Sequence, residues 1–152
     1  MTSEVLLGRY DRKLGRDKLL TLPVEWLSVL GDARHVFVLP DKSERCLNII
    51  PPPVMEKELD RLRWEVLKDP EMLPALQTIG SMTEQLDLDR RHRIRISDKL
   101  LEWVGIKKSA VLVGCVRVIK VWSPEVLGPN ESFDEKTIEE ELTKQLHKSR
   151  TM

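Results

Sequence analysis

The sequence predicts an α+β fold, mainly β, built as a tandem duplication of one small β-β-α-β-β unit. Three observations carry this expectation. First, Leu22-Pro23-Val24-Glu25-Trp26-Leu27-Ser28-Val29-Leu30-Gly31 lies over Ile96-Ser97-Asp98-Lys99-Leu100-Leu101-Glu102-Trp103-Val104-Gly105 at a shift of 74. Second, the same shift of 74 carries Val36-Phe37-Val38-Leu39 onto Ala110-Val111-Leu112-Val113. Third, a further apolar run follows each, Leu47-Asn48-Ile49-Ile50 and Val118-Ile119-Lys120-Val121-Trp122, now at a shift of 72 because the first loop, Pro40 to Arg45, is two residues longer. Recurrence of several elements in one order is the signature of an internal repeat.

Each element has its own physical reason. In the first segment the apolar positions Trp26, Leu27 and Leu30 recur at helical spacing, and Leu100, Leu101 and Val104 match them in the second. That i, i+1, i+4 stripe is one face of a short helix. Pro23 suits the first helical turn and Ser97 an N-cap, while Gly31 and Gly105 supply the left-handed residue that ends each helix. The runs 36–39 and 110–113 read as buried strands. Upstream, Arg93-Ile94-Arg95-Ile96 alternates strictly, so Ile94 and Ile96 face inward and the arginines outward; Leu20 and Leu22 hold the inward places of the first copy. A charged turn precedes that strand, and before the turn a further short strand is expected at Val5-Leu6-Leu7 or Leu86-Asp87-Leu88. A unit this small buries little core alone, so the copies are expected to pack or interleave.

Between the copies, Val54 to Lys68 reads as a helix with a stripe of Met55, Leu59, Leu62 and Val66, broken by Pro70 and Pro74. Phe133 to Lys148 reads as a terminal helix with Ser132 and Glu135 as a capping box and Ile138, Leu142 and Leu146 repeating every four residues. The expected organisation is a first repeat over 1–53, a helical linker over 54–80, a second repeat over 81–127 and an amphipathic tail over 128–152.

Composition bounds the function. With 41% hydrophobic and 33% charged residues in 152, the chain is globular rather than disordered. It has no apolar run long enough to span a membrane, and Met1-Thr2-Ser3-Glu4 does not open a signal peptide, so a cytoplasmic place is expected. Cys46 and Cys115 sit in apolar stretches and read as reduced, buried thiols. His35, His92 and His147 are scattered, so no metal site is expected, and no phosphate loop or nucleophile elbow points to a cofactor or catalysis. The formal net charge is zero, which argues against a generic nucleic-acid coat but leaves room for a local basic patch.

At this point the residues resemble the MraZ family of bacterial transcription regulators. Asp89-Arg90-Arg91-His92-Arg93 fits that family's Asp-x-x-x-Arg turn, although His92 stands where the family prefers Gly. Val111-Leu112-Val113-Gly114 fits its second-repeat strand, Val121-Trp122-Ser123 its tryptophan-bearing strand end, and Arg45-Cys46-Leu47-Asn48-Ile49-Ile50-Pro51 its strand running into a proline. In the first copy the motif is altered. Asp11-Arg12-Lys13-Leu14-Gly15-Arg16 spaces Asp and Arg one residue too far, and counting back from Pro23 without a gap puts Leu19 at the arginine position. The resemblance covers about Leu6 to Leu127. It implies a swapped-hairpin barrel of the SpoVT/AbrB type, self-association into a ring, and binding to repeated boxes in the promoter of division and wall-synthesis genes, with nucleoid association.

Two basic stretches are the candidate double-stranded DNA contacts: Arg91, Arg93 and Arg95 beside Asp89, and Arg12, Lys13 and Arg16 beside Asp11. The planar guanidinium fork bonds two acceptors on guanine or phosphate, and each aspartate is expected to hold a neighbouring arginine for that task. The competing reading is a solvated turn with local ion pairs, which Asp11, Asp17, Asp87 and Asp89 among the bases would equally produce; it weighs most on Arg12, Arg91 and Arg95. The other function classes left open are a ring-forming scaffold of the same fold with DNA binding weakened, an AbrB-like antitoxin using the segment after Ser132, and an enzyme at Cys115 or His92, for which neither residue has an evident partner.

Overall fold

The structure, a computed structural model, describes residues 5–30 and 33–128, and near the C-terminus 140, 142–144 and 146. Its strands are β1 (Arg9–Lys13), β2 (Leu20–Thr21), β3 (His35–Asp41), β4 (Cys46–Ile50), β5 (Glu84–Asp87), β6 (Arg93–Ile94), β7 (Ser109–Cys115) and β8 (Val118–Trp122). Among the described residues they form a six-stranded antiparallel sheet in the order β1-β7-β8-β4-β3-β5 and a two-stranded ribbon of β2 with β6. The helices are α1 (Leu27–Leu30), entered through a 3-10 turn at Val24–Trp26, α2 (Pro52–Lys68), α3 (Leu73–Met82), α4 (Asp98–Val104) and α5 (Pro124–Leu127).

The strand order places sequence-equivalent positions opposite one another. Leu20 pairs with Ile94, and Asn48 pairs with Lys120. The outer strands are exchanged: β1 pairs with β7, Tyr10 opposite Leu112, while β5 pairs with β3, Glu84 opposite Val38. Neither half holds its own first strand. A connection of this kind lets two small units bury one shared core, which neither has the area to build alone.

That core joins both halves: Leu20, Leu22, Trp26, Val36, Val38, Leu47 and Ile49 pack with Ile94, Ile96, Leu101, Leu112, Ile119 and Val121. Each such fully buried aliphatic side chain is worth roughly 1.5–3 kcal/mol relative to exposure. The ribbon's inward side chains, Leu20, Leu22, Ile94 and Ile96, are buried as their alternation requires. Trp26 closes the edge: its indole Nε1 donates to the Leu7 carbonyl at 2.7 Å and its ring meets Tyr10 edge-on at 5.0 Å. Ser97 accepts from the Leu100 N–H and so caps α4, and Gly105, at φ 79°, ends it. The Gly31 counterpart lies outside the described residues.

Several expectations need correction. The first strand of the chain is Arg9–Lys13, not Val5–Leu7; only Leu6 makes an isolated bridge, to Val116. The charged residues 9–13 mimic a turn because β1 is an edge strand that shows polar side chains to water. On β7, its one ladder neighbour, Gly114 is required, since a Cβ there would sit 2.6 Å from the Leu6 backbone. The strand expected over 93–96 is ladder-paired only at Arg93–Ile94. The linker helix begins at Pro52, and of its stripe Met55 is buried while Leu59 is exposed. Pro74 opens α3 rather than only ending α2, since proline is tolerated in a first helical turn. The expected terminal helix lies mostly outside the described residues; within it Glu140, Leu142–Lys144 and Leu146 are helical, and Leu142 and Leu146 are exposed.

Candidate nucleic-acid interface

The outward face of the ribbon carries Thr21 opposite Arg93, with Arg95 two residues further on the same face. The turn entering β6, Asp89 to Arg93, is held by one carboxylate. Asp89 Oδ1 accepts from the backbone N–H of Arg91 at 2.9 Å and of Arg93 at 2.8 Å, and Asp89 Oδ2 accepts from Arg93 Nε at 2.7 Å. The backbone closes with Asp89 N–H to the Arg93 carbonyl at 3.1 Å and His92 N–H to the Asp89 carbonyl at 3.0 Å. These donors, led by the Arg93 backbone N–H, pull the Asp89 carboxyl below its ordinary value. His92 takes φ 59°, the left-handed conformation that glycine adopts most cheaply. The result is an arginine whose Nε is fixed while, among the described residues, the rest of its fork makes no hydrogen bond.

Arg95 is engaged differently: its guanidinium donates to the Ile96 carbonyl and to Asp98 Oδ1, which Lys18 Nζ also reaches at 2.8 Å. These two cations, Lys18 first, hold the Asp98 carboxyl low. Arg90 and Arg91 are exposed, and neither makes a side-chain ion pair among the described residues.

The first copy builds the same turn from other residues. Gly15 N–H donates to the Leu19 carbonyl at 2.8 Å and Lys18 N–H to the Gly15 carbonyl at 3.0 Å, with Lys18 at φ 61°. Gly15 therefore occupies the place of Asp89, Lys18 that of His92 and Leu19 that of Arg93. The ungapped count from Pro23 finds these positions; the Asp11–Arg16 spacing does not. Asp11 lies on β1 opposite Val111, 3.9 Å from Arg9 Nε, and Arg16 is an exposed residue of the turn. Arg12 stacks over the Tyr10 ring at 5.3 Å, and Lys13 stands at the end of β1 opposite Ser109. The structure thus brings Asp89, Arg91 and Arg93 to one ribbon end, places Arg95, which shares Asp98 with Lys18, toward the other end beside the first turn that carries Arg16, and leaves Asp11, Arg12 and Lys13 on the edge strand. Lys107 and Lys108, in the loop beside Lys13, were not singled out by sequence reasoning; their adjacency to the first turn is long-range and leaves no local signal.

Elsewhere, Asp41, Glu44 and Cys46 gather with ligand atoms within 4.8 Å of one another, but Lys120 Nζ bonds Glu44 and lies 3.7 Å from Asp41, which satisfies the carboxylates as an ion-pair cluster. Burial pushes the Cys46 thiol up to about 11 and raises Cys115 too, so both are held protonated at neutral pH. No described helix is long and apolar enough to cross a membrane.

Fold and site define a small, mainly β protein with exchanged outer strands and an exposed ribbon bearing one aspartate-clamped arginine. No protein-family profile matches the chain. Among curated proteins it is similar to the transcriptional regulator MraZ of Rhodospirillum rubrum, 28% identical over 126 residues that cover 80% of this chain and 81% of the relative. It is also similar to that of Thermomicrobium roseum, 22% identical and covering 80% and 83%, and that of Alkaliphilus metalliredigens, 24% identical and covering 86% and 93%. The likeness to the MraZ family holds across most of the chain.

Proposed function

We propose that the chain is a sequence-specific DNA-binding transcriptional regulator of the MraZ type, which reads DNA through the Asp89–Arg93 turn and the outer face of the β2–β6 ribbon. The observation that carries this reading is the Asp89 clamp on Arg93 Nε, next to exposed Arg90 and Arg91. A pre-set guanidinium loses little entropy on meeting a guanine edge, and a good bidentate contact is worth about 1–3 kcal/mol of base discrimination. In this reading the halves 1–53 and 81–127 are repeats of one swapped-hairpin barrel unit, joined by the linker 54–80 and followed by the tail 128–152. The chain self-associates into a ring that meets repeated promoter boxes, so that a few contacts per subunit add through effective concentration and offset the neutral net charge. A cytoplasmic, nucleoid-associated place follows.

The test is an electrophoretic shift with the upstream region of the protein's own gene. Arg93→Ala is expected to abolish the discrete shift while leaving the thermal melt unchanged; a variant that shifts the duplex like the parent refutes the reading. The altered first turn favours one second reading, a ring-forming scaffold with weakened DNA binding, under which the parent protein itself gives no shift at moderate salt.

A further inference from the structure

The first turn has lost its aspartate and arginine, but it borders a depression of about 430 Å³ lined by Lys13, Leu14, Gly15, Lys18, Lys107, Lys108 and Ser109. Four lysines line it and, among the described residues, no acidic residue does; one of the four, Lys18, has its Nζ bonded to Asp98 Oδ1 at 2.8 Å. The arrangement is built by the exchanged strand. Lys13 sits opposite Ser109 in the β1–β7 ladder, and the Leu14 N–H donates to the Lys108 carbonyl at 2.8 Å, so residues from both halves share one wall. At the corresponding place by the second turn, the shift of 74 puts Asp87 for Lys13, His92 for Lys18, Ala33 for Lys107 and Arg34 for Lys108. The two ends of the ribbon have diverged in charge while keeping one backbone.

Clustered lysines repel one another unless an anion stands among them, and ammonium groups act on phosphate as point charges with little demand on orientation. A planar arginine fork fixed by a carboxylate does the opposite and selects direction. We propose that the lysine depression at the first turn is an anchor for a phosphodiester group of the DNA backbone, so that one half of the chain grips phosphate and the other half reads bases. This rests on the DNA-binding reading above. It makes each subunit a one-reader, one-anchor device rather than a pair of equal readers.

The experiment compares the parent, Lys107→Ala/Lys108→Ala and Lys107→Arg/Lys108→Arg for binding to the protein's own upstream duplex and to a shuffled duplex of equal length, over a range of salt. The alanine pair is expected to weaken both duplexes equally, roughly tenfold, and to flatten the salt slope by about 0.9 for each phosphate that is no longer neutralised, with the arginine pair restoring both. Unchanged affinity and slope in the alanine pair, with the parent still binding DNA, overturns the anchor and leaves the reader standing. A parent that binds neither duplex overturns both. Saturable binding of inorganic phosphate at the Gly15 and Lys108 amides, not displaced by duplex, assigns the depression to a small free anion and also overturns it.

Discussion

At the scale of single residues, Asp89 is the side chain on which the candidate interface turns. It accepts from two backbone N–H groups on one oxygen and from Arg93 Nε on the other, and the last of these bonds requires the carboxylate, since an amide would present a donor there. Its pKa is lowered from the ordinary 3.8, first by the Arg93 backbone N–H. A carboxyl whose folded pKa is depressed contributes stability that is present above its unfolded value and is lost as pH falls through the folded one. Asp41, held low chiefly by the Ser43 hydroxyl, and Asp98, held low chiefly by Lys18, behave alike. Thermal melts are therefore expected to hold steady above about pH 5 and to fall below about pH 4. Asp89→Asn is expected to show a smaller fall over that acid range than the parent, and to bind DNA more weakly at neutral pH because Arg93 loses its clamp. An identical acid profile in the two proteins would contradict the assignment.

At the scale of the element, the two turns show how one backbone outlives its side chains. Both close with a bond from the first residue's N–H to the fifth residue's carbonyl, and both put the fourth residue near φ 60°. Left-handed backbone costs a residue with a Cβ about 1–2 kcal/mol. His92→Gly relieves that cost, offset in part by the added freedom of glycine in the unfolded chain. The net expectation is a gain of up to about 1 kcal/mol, measured as a higher denaturation midpoint in urea, with the Arg93-dependent DNA shift retained. A loss of stability would mean that the imidazole carries an interaction of its own. The turn's shape was legible only in part: Asp89-x-x-x-Arg93 announces itself, whereas Gly15 to Leu19 lacks the aspartate and arginine at its ends and is found by repeat register alone.

At the scale of the whole molecule, the exchanged strands decide how the protein folds. Apart from the β3–β4 and β7–β8 hairpins, the ladders join residues from opposite halves, with β1 on β7, β5 on β3, β4 on β8 and β2 on β6. A fragment ending at residue 53 keeps its own hairpin but is deprived of β7, β8, β5 and β6 as partners. It is expected to be unfolded alone by circular dichroism, as is a fragment beginning at residue 81, and the two are expected to regain structure when mixed. A first fragment that folds cooperatively by itself would contradict the interleaved core.

The sequence by itself determined the recurrence at shifts of 74 and 72, the inward alternation of Ile94 and Ile96, the Ser97 cap, the Gly105 stop and the Asp89–Arg93 turn. These are local: periodicity, capping and turn chemistry act within a few residues and are written in neighbouring letters. Only the tertiary structure decided that Arg9–Lys13 is a strand, because an edge strand is stabilised by a ladder to a partner about a hundred residues away rather than by its own apolar alternation. It likewise decided that Lys13 and Lys18 share one wall with Lys107 and Lys108. Pairings across the halves depend on which strand joins which, and that choice is made by burying one shared core, a sum over the whole chain that no single stretch of it records.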